Sequence, residues 1–274
     1  MSLRPPLLTL ETQRALEAAR AGGVARLELG LDLGCSQETV EVDASAWRRG
    51  DVVYPHIDEC RERTVYHWTG NGFEPVARWS GRLVKLVPTE WGAPTFEIDG
   101  VKMLPTAAES PYEDARRKVD LVAVRGARVL DTCAGLGYYA AWCLARGATR
   151  VLSFEKNPDV RWLREKNPWS PGPDPRLDLR AGDCAIELQA LPAGSFDVVL
   201  HDPPRFALAG ELYSRAFYVE IARVLRRGGR LFHYTGAPNS RSRGRDLAGE
   251  VTARLCTAGF EARPAMDGVL ATRR

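Results

Sequence analysis

No apolar run in this 274-residue chain approaches the roughly 18 residues that a membrane-spanning helix needs. Its six cysteines (Cys35, Cys60, Cys133, Cys143, Cys184 and Cys256) include no Cys-x-x-Cys pair, which argues against both a structural zinc site and a disulfide framework. Reduced thiols and no bound metal are expected. Internal repeats and low-complexity segments are also missing, so a repeat architecture is excluded. The first twenty residues carry an early acid and have neither a long apolar core nor a small-residue cleavage site, unlike a secretory signal. A cytoplasmic protein is expected. Strong charge of one sign is absent as well, the formal net charge being +3, so a polyanion-binding tail is not indicated. The charge is unevenly shared: residues 1–118 carry 15 basic and 18 acidic side chains, the remainder 23 and 17. A mildly basic second half is compatible with an anionic substrate such as RNA without requiring one. Nothing in the sequence indicates an oligomeric state.

What remains is the composition of an ordinary globular protein, 45% hydrophobic and 27% charged, at a length for about two domains. Leu8 to Arg20 reads as a helix stopped at Gly22-Gly23. Short stretches of β-branched and aromatic residues then alternate with turn residues to about Met103. Val65–Trp68 and Phe73–Trp79 flank Gly70-Asn71-Gly72, a hairpin signal. We therefore expect a β-rich N-terminal domain over residues 1–105, a candidate for presenting substrate, whose Tyr54, Tyr66, Trp68 and Trp79 are read mainly as core, against stacking on bases. Ser110-Pro111-Tyr112-Glu113 supplies a cap, a proline at the first helical position and a glutamate at the third, predicting a helix to about Val124.

Over residues 106–274 strands and helices alternate. Strands are predicted at Ala127–Asp131, Val151–Glu155, Leu177–Arg180, Phe196–Asp202 and Arg230–Tyr234, with a terminal pair near Phe260–Pro264 and Gly268–Thr272. A helix is predicted over Gly210–Arg227, where Tyr213, Phe217, Ile221, Val224 and Leu225 recur at helical spacing before Gly228-Gly229. Such alternation implies an α/β fold: a doubly wound parallel sheet with an antiparallel edge and a ligand at the carboxyl ends of its strands.

The most informative stretch is Val129 to Ala140, VLDTCAGLGYYA. A buried strand delivers Asp131 to the sheet edge, and Gly135 and Gly137 let the backbone pass close to a ligand at a helix start. Alone this marks only a nucleotide site. The second strand ends at Glu155, placed to bind ribose hydroxyls; Asp183 follows the third and suits an adenine amino group; the fourth runs into Asp202-Pro203-Pro204-Arg205-Phe206.

These four strand ends resemble the class I S-adenosylmethionine (SAM) dependent methyltransferases, and VLDTCAGLGY, NPWS and HDPPRFALAGELYSRAFY resemble an uncharacterised archaeal and bacterial group of them. The resemblance implies a seven-stranded Rossmann-like sheet with SAM as cofactor. It implies Asp131, Gly135 and Gly137 around the methionine moiety, Glu155 at the ribose and Asp183 at the adenine, with Ala134, Tyr138 and Lys156 also at the cofactor and Cys133 and Cys184 as small spacers touching it through backbone. Cys133 stands where many members have glycine.

A Rossmann dehydrogenase competes for the glycine loop, with Ala140 as its weaker third position, but it leaves Asp-Pro-Pro unexplained. In that motif Asp202 and the Pro203 carbonyl are suited to accept the two protons of an amine, while Pro203 and Pro204 stiffen the loop. Phe206 is the candidate for holding a base flat, although Arg205 intervenes where the aromatic follows the prolines directly in amino-methylating members. DPPR also resembles the C5-uracil methyltransferases, yet no cysteine lies at the fourth or fifth strand end to attack a pyrimidine, so a nitrogen acceptor is favoured. Arg205, Arg241, Arg243 and Arg245 are assigned to substrate phosphates, against a solvated basic loop. His201 and His233 are read as hydrogen-bonded structural residues, and Asn167-Pro168-Trp169-Ser170 as a helix terminus with a packed indole. The expected activity is N-methylation of a nucleobase amino group in structured RNA. The alternatives are an aminopropyltransferase-like polyamine enzyme using decarboxylated SAM, a small-molecule methyltransferase, or a non-catalytic SAM- or RNA-binding module.

Overall fold

The computed structural model describes residues 4–236 and 246–274. Contacts divide the chain into two units, one of residues 1–112 with 162–169, the other of residues 113–161 with 170–274.

The first unit carries β1 (Leu7–Leu8), α1 (Leu10–Ala21), β2 (Arg26–Leu29), β3 (Glu38–Val42), β4 (Ala46–Arg49), β5 (Val52–Pro55), β6 (Tyr66–Trp68), β7 (Phe73–Pro75), β8 (Ala77–Trp79), β9 (Leu83–Val87), β10 (Thr95–Ile98) and β11 (Val101–Lys102). Thr9 starts α1 through a reciprocal capping box with Thr12. The strands form three small antiparallel sheets ordered β1-β6-β7, β2-β3-β4-β5 and β11-β10-β9-β8. The expected hairpin around Gly70-Asn71-Gly72 is present as β6 and β7 but ends at Pro75; Ala77–Trp79 leaves it to pair with β9 in another sheet. A proline has no N–H to continue a ladder, which fits that break. Trp47 stacks on Tyr54 at 4.5 Å between ring centroids, and Trp68 and Phe73 close the cluster. Tyr54, Tyr66 and Trp68 thus serve the core, whereas Trp79 is 73% exposed. Trp169 packs edge-on against Tyr112, and its indole N–H donates to the Leu33 carbonyl at 3.1 Å.

Following α2 (Pro111–Asp120), the second unit builds β12 (Arg128–Asp131), α3 (Tyr138–Ala145), β13 (Arg150–Glu155), α4 (Pro158–Lys166, shared with the first unit), β14 (Leu177–Ala181), α5 (Cys184–Glu187), β15 (Phe196–His201), α6 (Arg215–Val224), β16 (Leu225–Tyr234), α7 (Leu247–Thr257), β17 (Phe260–Ala265) and β18 (Gly268–Arg273). Their sheet has the order β14-β13-β12-β15-β16-β18-β17, parallel from β14 to β16 and antiparallel at β18 and β17. This is the expected seven-stranded Rossmann-like sheet. Chain direction reverses its progress across the sheet between β12 and β15, and at such a point the loops part to leave a crevice at the carboxyl ends. Among the described residues no helix is long and apolar enough to cross a membrane.

Two predicted elements differ. The helix from Pro111 stops at Asp120, short of Val124. The long helix expected over Gly210–Arg227 is instead a 3-10 turn (Gly210–Tyr213), a break at Ser214, and α6. Ser214 is extended and its hydroxyl accepts from the Phe217 N–H at 3.1 Å, so it caps a new helix. At the other end Leu225 is already extended, and Arg226 to Gly229 belong to β16, whose register against β15 shifts between Phe196 and Val198. A side chain at Gly229 would strike the Arg226 carbonyl and crowd that of Asp197, so glycine here serves the strand irregularity rather than a helix stop.

Candidate functional site

The glycine loop leaves β12 with Asp131 fully buried and its Oδ2 accepting from the Ser153 hydroxyl at 2.7 Å. Gly135 and Gly137 have φ of +50° and +82°, left-handed conformations that favour glycine. The loop is tied to the next strand twice. Ala134 N–H donates to the Phe154 carbonyl at 2.8 Å, and Gly135 N–H to Glu155 Oε2 at 2.9 Å. The other Glu155 oxygen accepts from Asn157 N–H at 2.9 Å, so this acid braces the loop as well as standing at its strand end. Tyr138 opens α3 and is buried. Asp183 caps α5 through Ala185 N–H at 3.0 Å, and its other oxygen lies 3.2 Å from Lys156 Nζ.

Cys133 and Cys184 lie side by side in the core. The hydrogen bond between them, then burial, holds the Cys133 thiol well above its ordinary range. Cys133 is therefore the thiol rather than the nucleophilic thiolate at neutral pH.

Asp202, Pro203 and Pro204 follow β15, the strand adjacent to β12. Burial raises the Asp202 carboxyl to about 7; Lys118 opposes that rise, and Asp114, Asp267 and Asp131 add to it. The Pro204 carbonyl accepts from the Tyr213 hydroxyl at 3.0 Å, which fixes the second proline. The Pro203 carbonyl has no protein donor among the described residues. Phe206 is half-buried and edge-on to Tyr213 at 5.3 Å, packed on the core. That placement favours support of the loop over base stacking. Arg205 is exposed; Arg241, Arg243 and Arg245 lie outside the described residues.

Both histidines are structural, as read from sequence. His201 Nδ1 accepts from the Thr132 hydroxyl at 2.6 Å and Nε2–H donates to the Leu212 carbonyl at 3.1 Å. His233 Nε2 accepts from the Tyr218 hydroxyl at 2.9 Å and Nδ1–H donates to the Tyr234 carbonyl at 2.8 Å. Burial drives His201 down to about 4 and His233 well below its usual value, so both rings are neutral at pH 7.

Sequence reasoning missed three residues near Asp202, namely Asp114 and Lys118 of α2 and Asp267 in the turn between β17 and β18; Tyr139 of α3, one of the two tyrosines that open the helix after the glycine loop, lies near it too. Lys118 is 1% exposed. Its Nζ lies 2.6 Å from Asp114, 3.3 Å from Asp267 and 3.9 Å above the Tyr234 ring. The Tyr139 hydroxyl is buried with no partner among the described residues, as is Asp267 Oδ1. Only the Asp114–Lys118 spacing, four apart on a helix, is a sequence signal. Among the described residues no group of three or more His, Cys, Asp or Glu side chains is arranged to hold a metal ion.

Residues 113–229 match a family described as conserved hypothetical protein 95. The chain is 48% identical over 178 residues to an uncharacterised protein of Methanocaldococcus jannaschii, a match covering 64% of this chain and 61% of that one. It is 32% identical over 126 residues to polyamine aminopropyltransferase 2 of Streptomyces coelicolor, covering 43% of this chain and 23% of that one. The chain thus spans less than two thirds of these relatives. A crystal structure of spermidine synthase in complex with the transition-state analogue AdoDATO superposes with a TM-score of 0.55 at 16% identity, over 72% of this chain and 71% of the other. The chain therefore has the fold seen in that spermidine synthase, a Rossmann-like mixed sheet of seven strands preceded by a β-rich region.

Proposed function

We propose that the protein transfers a methyl group from SAM to an amino nitrogen. The observation that carries this reading is Asp202: a half-buried carboxyl, raised to about 7, at the end of the strand beside the glycine loop. The residues around that loop fit the donor. Two left-handed glycines leave room for close approach, and Glu155 and Asp183 stand at the ends of β13 and β14, where ribose and adenine groups are bound in this fold class. When bound, SAM supplies an electrophilic methyl group on a sulfonium.

The protein's own part is alignment and proton handling. An alkylammonium has no lone pair and must lose a proton before nitrogen attacks carbon. A carboxyl poised near neutral pH is suited to take it. The N–C bond would form as the donor's S–C bond breaks, and Asp202 would carry the amine's proton to solvent. The Pro203 carbonyl is available to hold a remaining N–H.

Asp114, Asp131 and Asp267 near Asp202 favour a cationic aliphatic amine and oppose an RNA phosphate backbone. We therefore place a small aliphatic amine ahead of a nucleobase in structured RNA. The same acids, with the 32% match to an aminopropyltransferase, favour a second reading: aminopropyl transfer from decarboxylated SAM. Purified protein incubated with either donor against 1,3- to 1,5-diaminoalkanes and total RNA, with products read by mass spectrometry, separates the readings. A methylated amine is expected. A product from decarboxylated SAM alone replaces methyl by aminopropyl transfer, a methylated nucleoside restores the RNA acceptor, and no product with any pair refutes the proposal.

A further inference from the structure

Lys118 is buried, charged and unused by the transfer described above. A lone buried ammonium is strongly disfavoured, so its surroundings must compensate it. They are assembled from separate elements. Asp114 lies one turn earlier on α2, and Asp267 occupies the turn of the terminal hairpin. Sheet register brings Asp202 to the same place. His201 of β15 pairs with His233 of β16, so Asp202 and Tyr234 follow at neighbouring positions, and Tyr234 pairs with Gly268, the residue after Asp267. Lys118 Nζ sits over the Tyr234 ring.

Among the described residues, the charged and titratable groups facing Asp202 are Lys118 and Asp114 from α2, Asp131 from β12, Tyr139 from α3, Tyr213 before α6, Tyr234 from β16 and Asp267 from the hairpin turn, with Arg205 on its own loop acting on Tyr234. Burial holds all three phenols well above their ordinary range, so they remain neutral. Lys118 is thus the buried cation set against three neighbouring acids. Burial alone would lower its own affinity for a proton, but Asp202, Asp114 and Asp267 outweigh that and keep it charged.

We propose that Lys118 is a positioning residue for Asp202: an ammonium, fixed by Asp114 and Asp267, that favours the ionised carboxylate and so lets Asp202 take a proton from the acceptor amine. This rests on the reading that Asp202 faces the acceptor. With Lys118 absent, three acids would hold the proton on Asp202 and the carboxyl would no longer act as a base near neutral pH. With Asp267 neutralised, Asp202 would ionise more readily. Opposite signs from two touching residues are not the signature of a merely structural role.

The test is titration of Asp202 by carbon NMR in full-length protein labelled with 13C at the aspartate carboxyl, its resonance assigned by loss in Asp202→Asn. Lys118→Met is expected to move the Asp202 midpoint up by about 1 pH unit or more, as loss of a close opposite charge does. Lys118→Arg should restore it, and Asp267→Asn should move it down. If Lys118→Met does not fold, Lys118→Met with Asp267→Asn removes cation and anion together, and its midpoint must lie above that of Asp267→Asn alone. A midpoint unmoved by Lys118→Met, or shifts of the same sign for Lys118→Met and Asp267→Asn, overturns the proposal. The titration needs no acceptor, so failure here is distinct from failure to find transfer.

Discussion

Replacing Asp202 by asparagine should stabilise the protein while abolishing transfer, and the gain should depend on pH. The carboxyl rises from 3.8 to about 7 on folding, mainly through burial. Well below pH 4 it is protonated in folded and unfolded chains alike and costs nothing. Between about 4 and 7 the unfolded chain gives up its proton while the folded chain keeps it, so stability falls as pH rises; above 7 the full cost is present. A rise of that size corresponds to ~4 kcal/mol. The neutral amide would leave Lys118 with fewer anions, which offsets part of the gain, so about 2–3 kcal/mol is the reasonable expectation. In a unit of this size that is roughly 5–10 °C in Tm. Thermal unfolding of both proteins at pH 4.5, 6 and 8 should show Tm curves that converge at the acid end and separate toward pH 8, with the Asp202→Asn protein higher. A variant equally or less stable than the native protein at pH 8, or a difference independent of pH, would refute the claim that Asp202 is held in an unfavourable environment. Strain of this kind kept at one carboxyl is what a working site would retain against stability.

Two further outcomes follow from the geometry. Glu155→Gln keeps one oxygen for the loop but loses the charge at the end of β13, so calorimetry should show SAM binding weakened by roughly 10-fold or more; unchanged binding would remove Glu155 from the donor site. His201, driven to about 4 by burial, should show neutral-ring nitrogen shifts by NMR down to about pH 5, with stability lost only as pH falls from 6.5 toward 4; a titration near 6.5 would contradict its burial between Thr132 and Leu212.

The parts legible in the sequence are those written in local pattern. Asp131, Glu155 and Asp202 each close an apolar run, Asp183 follows a short alternating stretch, and a parallel sheet brings such strand ends to one edge. Seven strands with an antiparallel rim follow from the same alternation. Less legible was anything decided by packing. Helical spacing from Gly210 to Leu225 concealed a break, because the Ser214 hydroxyl can cap only a helix that starts there, and Leu225 satisfies a helical face and a strand equally well. The Ala77–Trp79 strand changed partners for a reason visible in Pro75, yet its new partner was not. Lys118 and Asp267 are 149 positions apart and meet only because β18 folds back against β16. No linear motif connects them.

The boundary between β12 and β15 also divides the proposed tasks. On one side lie Glu155 and Asp183, on the other Asp202 and, at the tip of the last hairpin, Asp267. On the proposed reading, the charge offered to an incoming amine can therefore be rewritten by a single exchange in a distant stretch of chain, with the donor-side strands untouched. A protein built this way can change what it modifies far more readily than what it uses to modify it, and the terminal hairpin is the segment to exchange when a different acceptor is wanted.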